Sequence, residues 1–583
     1  MADLLAQAVR QQWEAEAQVR RLNDPFPLPV EWEAADADLV ESWPHLRELA
    51  RDWSGLSPAN STWAADPEGP AGKGGEIAQV FERIPTRRLV VLGEPGAGKS
   101  MLLIRLLLAL LEHRSPGGLV PVLFSLASWN PARQDLYAWM ADQLTQDHPA
   151  LRAPADPPQP SPGTQARALL EWRLILPVLD GLDELPQAVR ALALHAINQV
   201  LPAGQPLVLS SRTAEYRSAL TPPAGVTVLL NGAAGIRLLP LDPAKAAAYL
   251  ERDAGGIGTR AAARWSRVTA SLGTGTPTSQ ALSTPLGLFL ARTIYNPRPD
   301  EHPADLAHPD ELLDQSRFPT REDIDTHLFA AFIPAAYRPP PPHPHHPNRW
   351  TAQQAQHTLI FLAHHLQHTL DGTPNLAWWQ LPKALPKGGL ALAGGLAAVL
   401  MGGLPFGIAN GLGAGLAFGF AAGRPATGLT AGLTAGPTAM LMGGLNSVHP
   451  DLDKAVGPGA VLARDRRTFS VMTFAGGLMG VLAFGLVLAI DPLLGNPRAN
   501  LPPTLAYGFA FGLTFGFVLG LVRSVWMEFL VAQIGLAVLG RVPWRFMGFL
   551  ADAHERRGVL RQVGAVYQFR HLDLQRYLAE RQP

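Results

Sequence analysis

The stretch Arg88-Leu89-Val90-Val91-Leu92-Gly93-Glu94-Pro95-Gly96-Ala97-Gly98-Lys99-Ser100, followed by the apolar run Met101 to Leu111, constrains this chain more than any other. A short β-branched and Leu-rich segment breaks into a glycine loop ending in Gly-Lys-Ser and then enters a helix, which is the order a phosphate-binding loop requires. Gly93, Gly96 and Gly98 let the backbone turn its N–H groups around a polyphosphate, and the following helix adds the positive end of its dipole. Glu94, Pro95, Ala97 and Met101 complete the cradle. Lys99 is placed to reach the β- and γ-phosphates and Ser100 to ligate Mg²⁺. A glycine-rich surface turn, the plainer alternative, leaves the flanking strand and helix unexplained.

Composition narrows the remainder. With 583 residues the chain is long enough for several domains. The 48 basic residues balance the 48 acidic ones, so no electrostatic case exists for nucleic acid as a partner. The absence of cysteine removes disulfides, thiolate zinc sites and cysteine nucleophiles. The segment from Met1 to Val40 lacks the basic start and apolar core of a secretory signal. Within it Leu5, Ala8, Val9, Trp13 and Ala17 recur at helical spacing, predicting an amphipathic helix that docks either on the protein itself or on a membrane surface.

Downstream, Val120 to Leu126 predicts a second buried strand and Leu174 to Leu179 a third, which ends abruptly in Asp180-Gly181-Leu182-Asp183-Glu184. In a parallel sheet the carboxyl ends of the strands line the ligand crevice, so Asp180 is expected beside the loop, holding Mg²⁺ directly or through water. Either Asp183 or Glu184 is suited to orient or deprotonate the water that attacks the γ-phosphate. The next strand, Leu207 to Ser211, ends in Arg212, whose guanidinium suits the γ-phosphate. Beyond Asp242-Pro243, a plausible helix cap, the periodicity becomes helical through Pro285-Leu286 to Tyr337.

The combination of Gly93 to Ser100, Asp180 to Glu184, Ser211-Arg212 and the Pro285-Leu286 segment resembles the NACHT domain of the signal-transduction NTPases, relatives of the NOD-like receptors, here of a bacterial, membrane-associated type. That resemblance implies a switch that is closed with ADP and open with ATP, an adenine packed on Pro285, and Arg212 as sensor. It also implies an AAA+-like α/β P-loop core over 76–236, preceded by an N-terminal segment and linker over 1–75, and a helical domain over 237–338. Beyond the Pro/His linker 339–349, a winged-helix domain is expected in two halves, 350–387 and 523–583. In the tail, Phe569-Arg570-His571-Leu572-Asp573 is similar to the winged-helix motif of NACHT proteins, which implies that His571 contacts the β-phosphate of bound ADP.

The runs 388–423, 425–448, 468–490 and 504–522 carry no charge, and runs of 18 or more such residues are transmembrane candidates. They predict an α-helical membrane region over 388–522 with four spans, six if further short helices insert. Basic residues at Lys383, Lys387, Arg464, Arg466, Arg467, Arg523, Arg541 and Arg545 place the NTPase and both termini in the cytoplasm. The sequence thus points to a membrane-anchored, slowly hydrolysing ATPase switch in bacterial stress or antiphage defence. Its expected partners are the lipid bilayer, further copies of the chain on activation, and a trigger the sequence does not identify. A transport or assembly protein energised by the same ATPase is the alternative, weakened by the lack of charged residues inside the runs.

Overall fold

The structure, a computed structural model, describes residues 1–52 apart from 25, 27 and 29, then 70–155, 163–201, 204–220, 228–298, 301–302, 306–338, 350–385 apart from 371, 457–490 and 524–582, with the single positions 509, 512, 513, 516 and 517. These residues fall into two compact units, the first drawn from Met1–Asn375 and Gly548–Pro583 and the second from the residues between.

The first unit is built on a seven-stranded sheet of β1 (Glu31–Ala34), β2 (Gly72–Lys73), β3 (Arg88–Leu92), β4 (Val120–Ser125), β5 (Ile175–Asp180), β6 (Leu207–Ser211) and β7 (Ala234–Leu238), in the order β2-β1-β7-β3-β6-β5-β4. From β7 to β4 every neighbour is parallel, whereas β1 runs antiparallel to both β7 and β2. Strands covered on both faces need no polar alternation, and β3 and β6 are buried at every position. Pro177 inside β5 has no N–H to give, and the pairing of β5 with β6 takes in only Val178 and Leu179, just beyond it. The placement of β6 between β3 and β5 matters most for the site, because it inserts the end of β6 between the glycine loop and Asp180.

The N-terminal helix Ala2–Asn23 packs on the helix Lys99–Glu112, on β4 and on the tail. Leu5, Ala8, Val9 and Trp13 are buried, so the apolar face predicted from their spacing is taken up inside the fold rather than offered to a membrane surface. The helical segment after the sheet begins where expected: Asp242 caps Pro243–Asp253 by accepting from the Lys245 N–H at 3.0 Å. It continues through the helices Pro285–Tyr295 and Arg321–Ala336, with Arg292 paired to Asp253 at 2.7 Å.

The helix Ala352–His364 opens with the capping box expected of Thr351 and Gln354 and packs on the last helix, Leu572–Ala579. Before that last helix the tail forms an antiparallel hairpin, β8 (Leu560–Val563) and β9 (Val566–Phe569). Alternation over 563–569 suggests a single strand, but the turn at Gly564, with φ of 53°, folds it back instead. In the second unit the 3₁₀ segment Trp378–Ala384 packs on the helix Trp526–Val538, with Trp378 edge-on to Phe529 at 5.3 Å.

The membrane expectation is corrected. Among the described residues no helix is long and apolar enough to cross a membrane. The runs 388–423 and 425–448, and most of 504–522, lie outside the described residues. The run 468–490 belongs to a helix, Pro458–Ile490, that already carries Arg464, Asp465, Arg466 and Arg467. Lack of charge is necessary for a span but not sufficient: a span must also form a helix of enough length and apolarity, which no helix among the described residues does. The multi-pass transmembrane region and the topology with both termini cytoplasmic therefore do not stand.

Trp13, only 2% exposed, is the largest buried side chain of the first helix. Trp13→Ala should lower unfolding stability by about 3–5 kcal/mol in a denaturant titration. A loss under about 1 kcal/mol would show that this helix is peripheral to the fold.

Candidate functional site

The carboxyl ends of β3, β5 and β6 meet at a cavity of about 360 Å³. After β3 the chain turns through Gly96 and Gly98, at φ of 74° and 96°, into the helix Lys99–Glu112. A side chain at Gly96 would stand 2.8 Å from Leu286 Cβ and one at Gly98 would stand 3.2 Å from Val30, so both the backbone angle and the close neighbours demand glycine. Pro285, the first residue of its helix, approaches Gly98, and the Leu286 N–H donates to the Gly96 carbonyl at 3.3 Å.

Lys99 Nζ donates to the carbonyls of Gly93, at 2.7 Å, and Glu94. Burial pushes its pKa below the ordinary lysine value, a shift that Asp183 opposes. Ser100 Oγ donates to Asp180 Oδ2 at 2.7 Å, while Ser210 Oγ donates to Asp180 Oδ1 at 2.5 Å and accepts from the Gly181 N–H. Both Asp180 oxygens are thus oriented by hydroxyls, one from the loop and one from β6. A serine hydroxyl beside a carboxylate is the hard oxygen set that suits Mg²⁺, which binds through one or two carboxylates together with substrate phosphates. The glycine cradle with its lysine suits the polyphosphate itself.

Asp183 and Glu184 differ in environment. Asp183 is held twice by Arg212, at 2.9 Å through Nε and at 3.1 Å through the main-chain N–H. Among the described residues the Glu184 carboxylate makes only a long contact, 3.5 Å, with the Ser125 hydroxyl, and it stands at the cavity wall. Burial, reinforced by Asp180 and Asp183, pushes its pKa up to about 8. Gly181, at φ of 85°, has a physical reason to be small, since a Cβ there would lie 2.6 Å from the Glu184 carboxyl carbon.

Arg212 also pairs with Asp573 of the tail at 2.6 Å. Burial works against its charge, but Asp573 and then Asp183 outweigh that and raise its pKa. His571 lies at the same cavity, its pKa driven well below the usual value by burial and then by Arg570, Arg20 and Arg561, so it is neutral at pH 7.

The structure therefore brings Pro95 to Met101, Asp180, Asp183, Glu184, Arg212, Pro285 and His571 to one cavity. Gly93 and Glu94 stand behind it, serving Lys99 through their carbonyls. Sequence reasoning missed Arg20, Val30, Phe289, Arg561 and Asp573, which also line it. Asp573 was legible as an acidic residue in the first turn of a helix directly after His571. Nothing local to Arg20, far from the loop in sequence, announces its place.

Residues 87–253 match the NACHT domain family, which spans β3 to β7 and the first helix beyond the sheet. That match supports a NACHT-type P-loop NTPase core, and Pro285 and His571 lie outside it. No curated protein matches the chain.

Glu184 contributes to the pH dependence alongside Asp147, whose pKa burial raises to about 7. Its folded pKa of about 8 exceeds the ordinary 4.5, so its stabilising contribution is full below pH 4.5 and is lost as pH rises through about 8. Glu184→Gln should flatten the decline in melting temperature between pH 5 and 8.5, and parallel curves for the two proteins would place the raised pKa elsewhere.

Proposed function

We propose that this chain is a nucleotide-dependent switch, a NACHT-type NTPase that closes around ADP, opens on exchange for ATP and returns by slow hydrolysis. One observation carries it: Arg212 joins Asp183 of the nucleotide core to Asp573 of the tail, beside the cavity that His571 lines. A metabolic ATPase has no need of a tail tied to its own phosphate site by a residue that the γ-phosphate would attract. When that phosphate arrives, its charge competes with Asp573 for the guanidinium, and the tail loses its anchor.

The chemistry follows from the same residues. Lys99 leaves its main-chain carbonyls for the β- and γ-phosphates and offsets their charge. Ser100 and Asp180 would hold Mg²⁺, which when bound neutralises phosphate charge and fixes the phosphate oxygens. Glu184, the carboxylate without a cationic partner in hydrogen-bond range among the described residues, accepts the proton of the attacking water. The water oxygen bonds to the γ-phosphorus as the bond to the β–γ bridging oxygen breaks, leaving ADP and phosphate. Asp183 does not compete for this role because Arg212 occupies both its oxygens. Pro285, from the loop's other side, supplies an apolar surface for the base. Release of the tail also frees surface on which further copies of the chain assemble, in response to a trigger acting on the closed form.

Lys99→Ala should abolish ATP and ADP binding, measured by calorimetry, and normal affinity would sink the phosphate-loop assignment. His571→Ala should instead preserve ATP binding while raising the ADP dissociation rate about tenfold, the effect of losing about 1.4 kcal/mol. An unchanged ADP off-rate would leave the tail as a structural domain only.

A further inference from the structure

Three arginines outside the proposed chemistry also line the cavity: Arg20 on the first helix, Arg561 in β8 and Arg570 just after β9. Arg20 Nε is bonded to Glu16 at 2.9 Å, and Glu16, 3% exposed, lies 3.8 Å from His554 and accepts the Gln562 N–H. Arg561 Nε donates to the neutral amide of Gln568 at 2.9 Å. Arg570 lies over the Phe289 ring at 5.6 Å, yet its Nε and Nη2 are buried without a hydrogen-bond partner among the described residues. Burial, then Arg20, pushes its pKa down to about 9. Glu16, bonded to Arg20, and Asp24, also at the cavity wall, are thus the carboxylates set against three guanidiniums on this side. A buried cation left in that condition is costly unless an anion joins it.

The cavity they share is the one that the loop from Gly96 to Ser100 lines, and a guanidinium fork matches phosphate oxygens. We propose that Arg570 and Arg20 form a second clamp on the terminal phosphate of a bound nucleoside diphosphate, so that the ligand bridges the tail and the first helix across the core. This rests on the nucleotide switch proposed above and deepens it. The first helix becomes part of the closed state, and losing the diphosphate loosens both segments together. Arg561, bonded through Nε to Gln568, adds charge to the site.

The test uses the full chain, with ADP and AMP as probes. Arg570→Gln should weaken ADP about tenfold or more, as loss of a charge-assisted hydrogen bond does, while AMP affinity stays within twofold of the parent. Arg20→Gln should show the same selectivity, and Arg570→Lys should recover part of the ADP affinity. Without nucleotide, Arg570→Gln should melt no lower than the parent, because it removes a buried charge that lacks a partner. ADP affinity within twofold of the parent, or an equal loss for AMP, would overturn the clamp. If the parent binds no ADP, or Lys99→Ala binds it equally well, the phosphate-loop assignment fails and the clamp falls with it.

Discussion

The guanidinium of Arg212 fastens the nucleotide core to the tail beside the candidate phosphate site. It reaches Asp183 on one side and Asp573 on the other, and both contacts are charge-assisted hydrogen bonds in a partly buried setting. Its position depends on strand order. Because β6 lies between β3 and β5, the residues that end it, Ser210 to Arg212, fall between the glycine loop and Asp180. Had β6 been an edge strand, neither Ser210 nor Arg212 would reach these carboxylates. A local fact of topology thus sets one guanidinium between the candidate phosphate site and the tail.

Charge is distributed unevenly around the cavity. On the loop side Lys99 and Arg212 face Asp180, Asp183 and Asp573, so cations and anions nearly balance. On the side of the first helix and the hairpin, Arg20, Arg561 and Arg570 outweigh Glu16 and Asp24. Glu184 sits beside this balance as a carboxyl that is only roughly a tenth ionised at neutral pH, given its pKa of about 8. In the proposed switch, a base so rarely ready for its proton suits the slow turnover that lets a triphosphate state last.

Much of this was legible in the sequence because short motifs specify short-range geometry. Gly96 to Ser100, Asp180 and Arg212 announce their positions through strand ends and glycine angles, and the structure places them at one cavity. The order of the strands was not legible, since pairing between distant segments leaves no local trace, and the antiparallel addition of β1 and β2 went unforeseen for that reason. Arg20 and Arg570 were missed likewise, because their neighbours are set by how the first helix and the hairpin dock. The charge-free runs misled in another way. Lack of charge was taken as a measure of apolarity, although glycine, threonine, serine and proline contribute little to it, and no described helix reaches the length and apolarity of a span.

Hydrogen exchange at the amides of β9 and of the helix Leu572–Ala579 tests the central claim most directly, in the full chain saturated first with ADP and then with a non-hydrolysable ATP analogue. If the tail is fastened by Arg212 and Asp573 and released by the γ-phosphate, these amides are protected with ADP and exchange at least tenfold faster with the analogue, while β3 and β5 keep their protection. Equal protection in both states would contradict the account, leaving a nucleotide site beside a tail that does not respond to it.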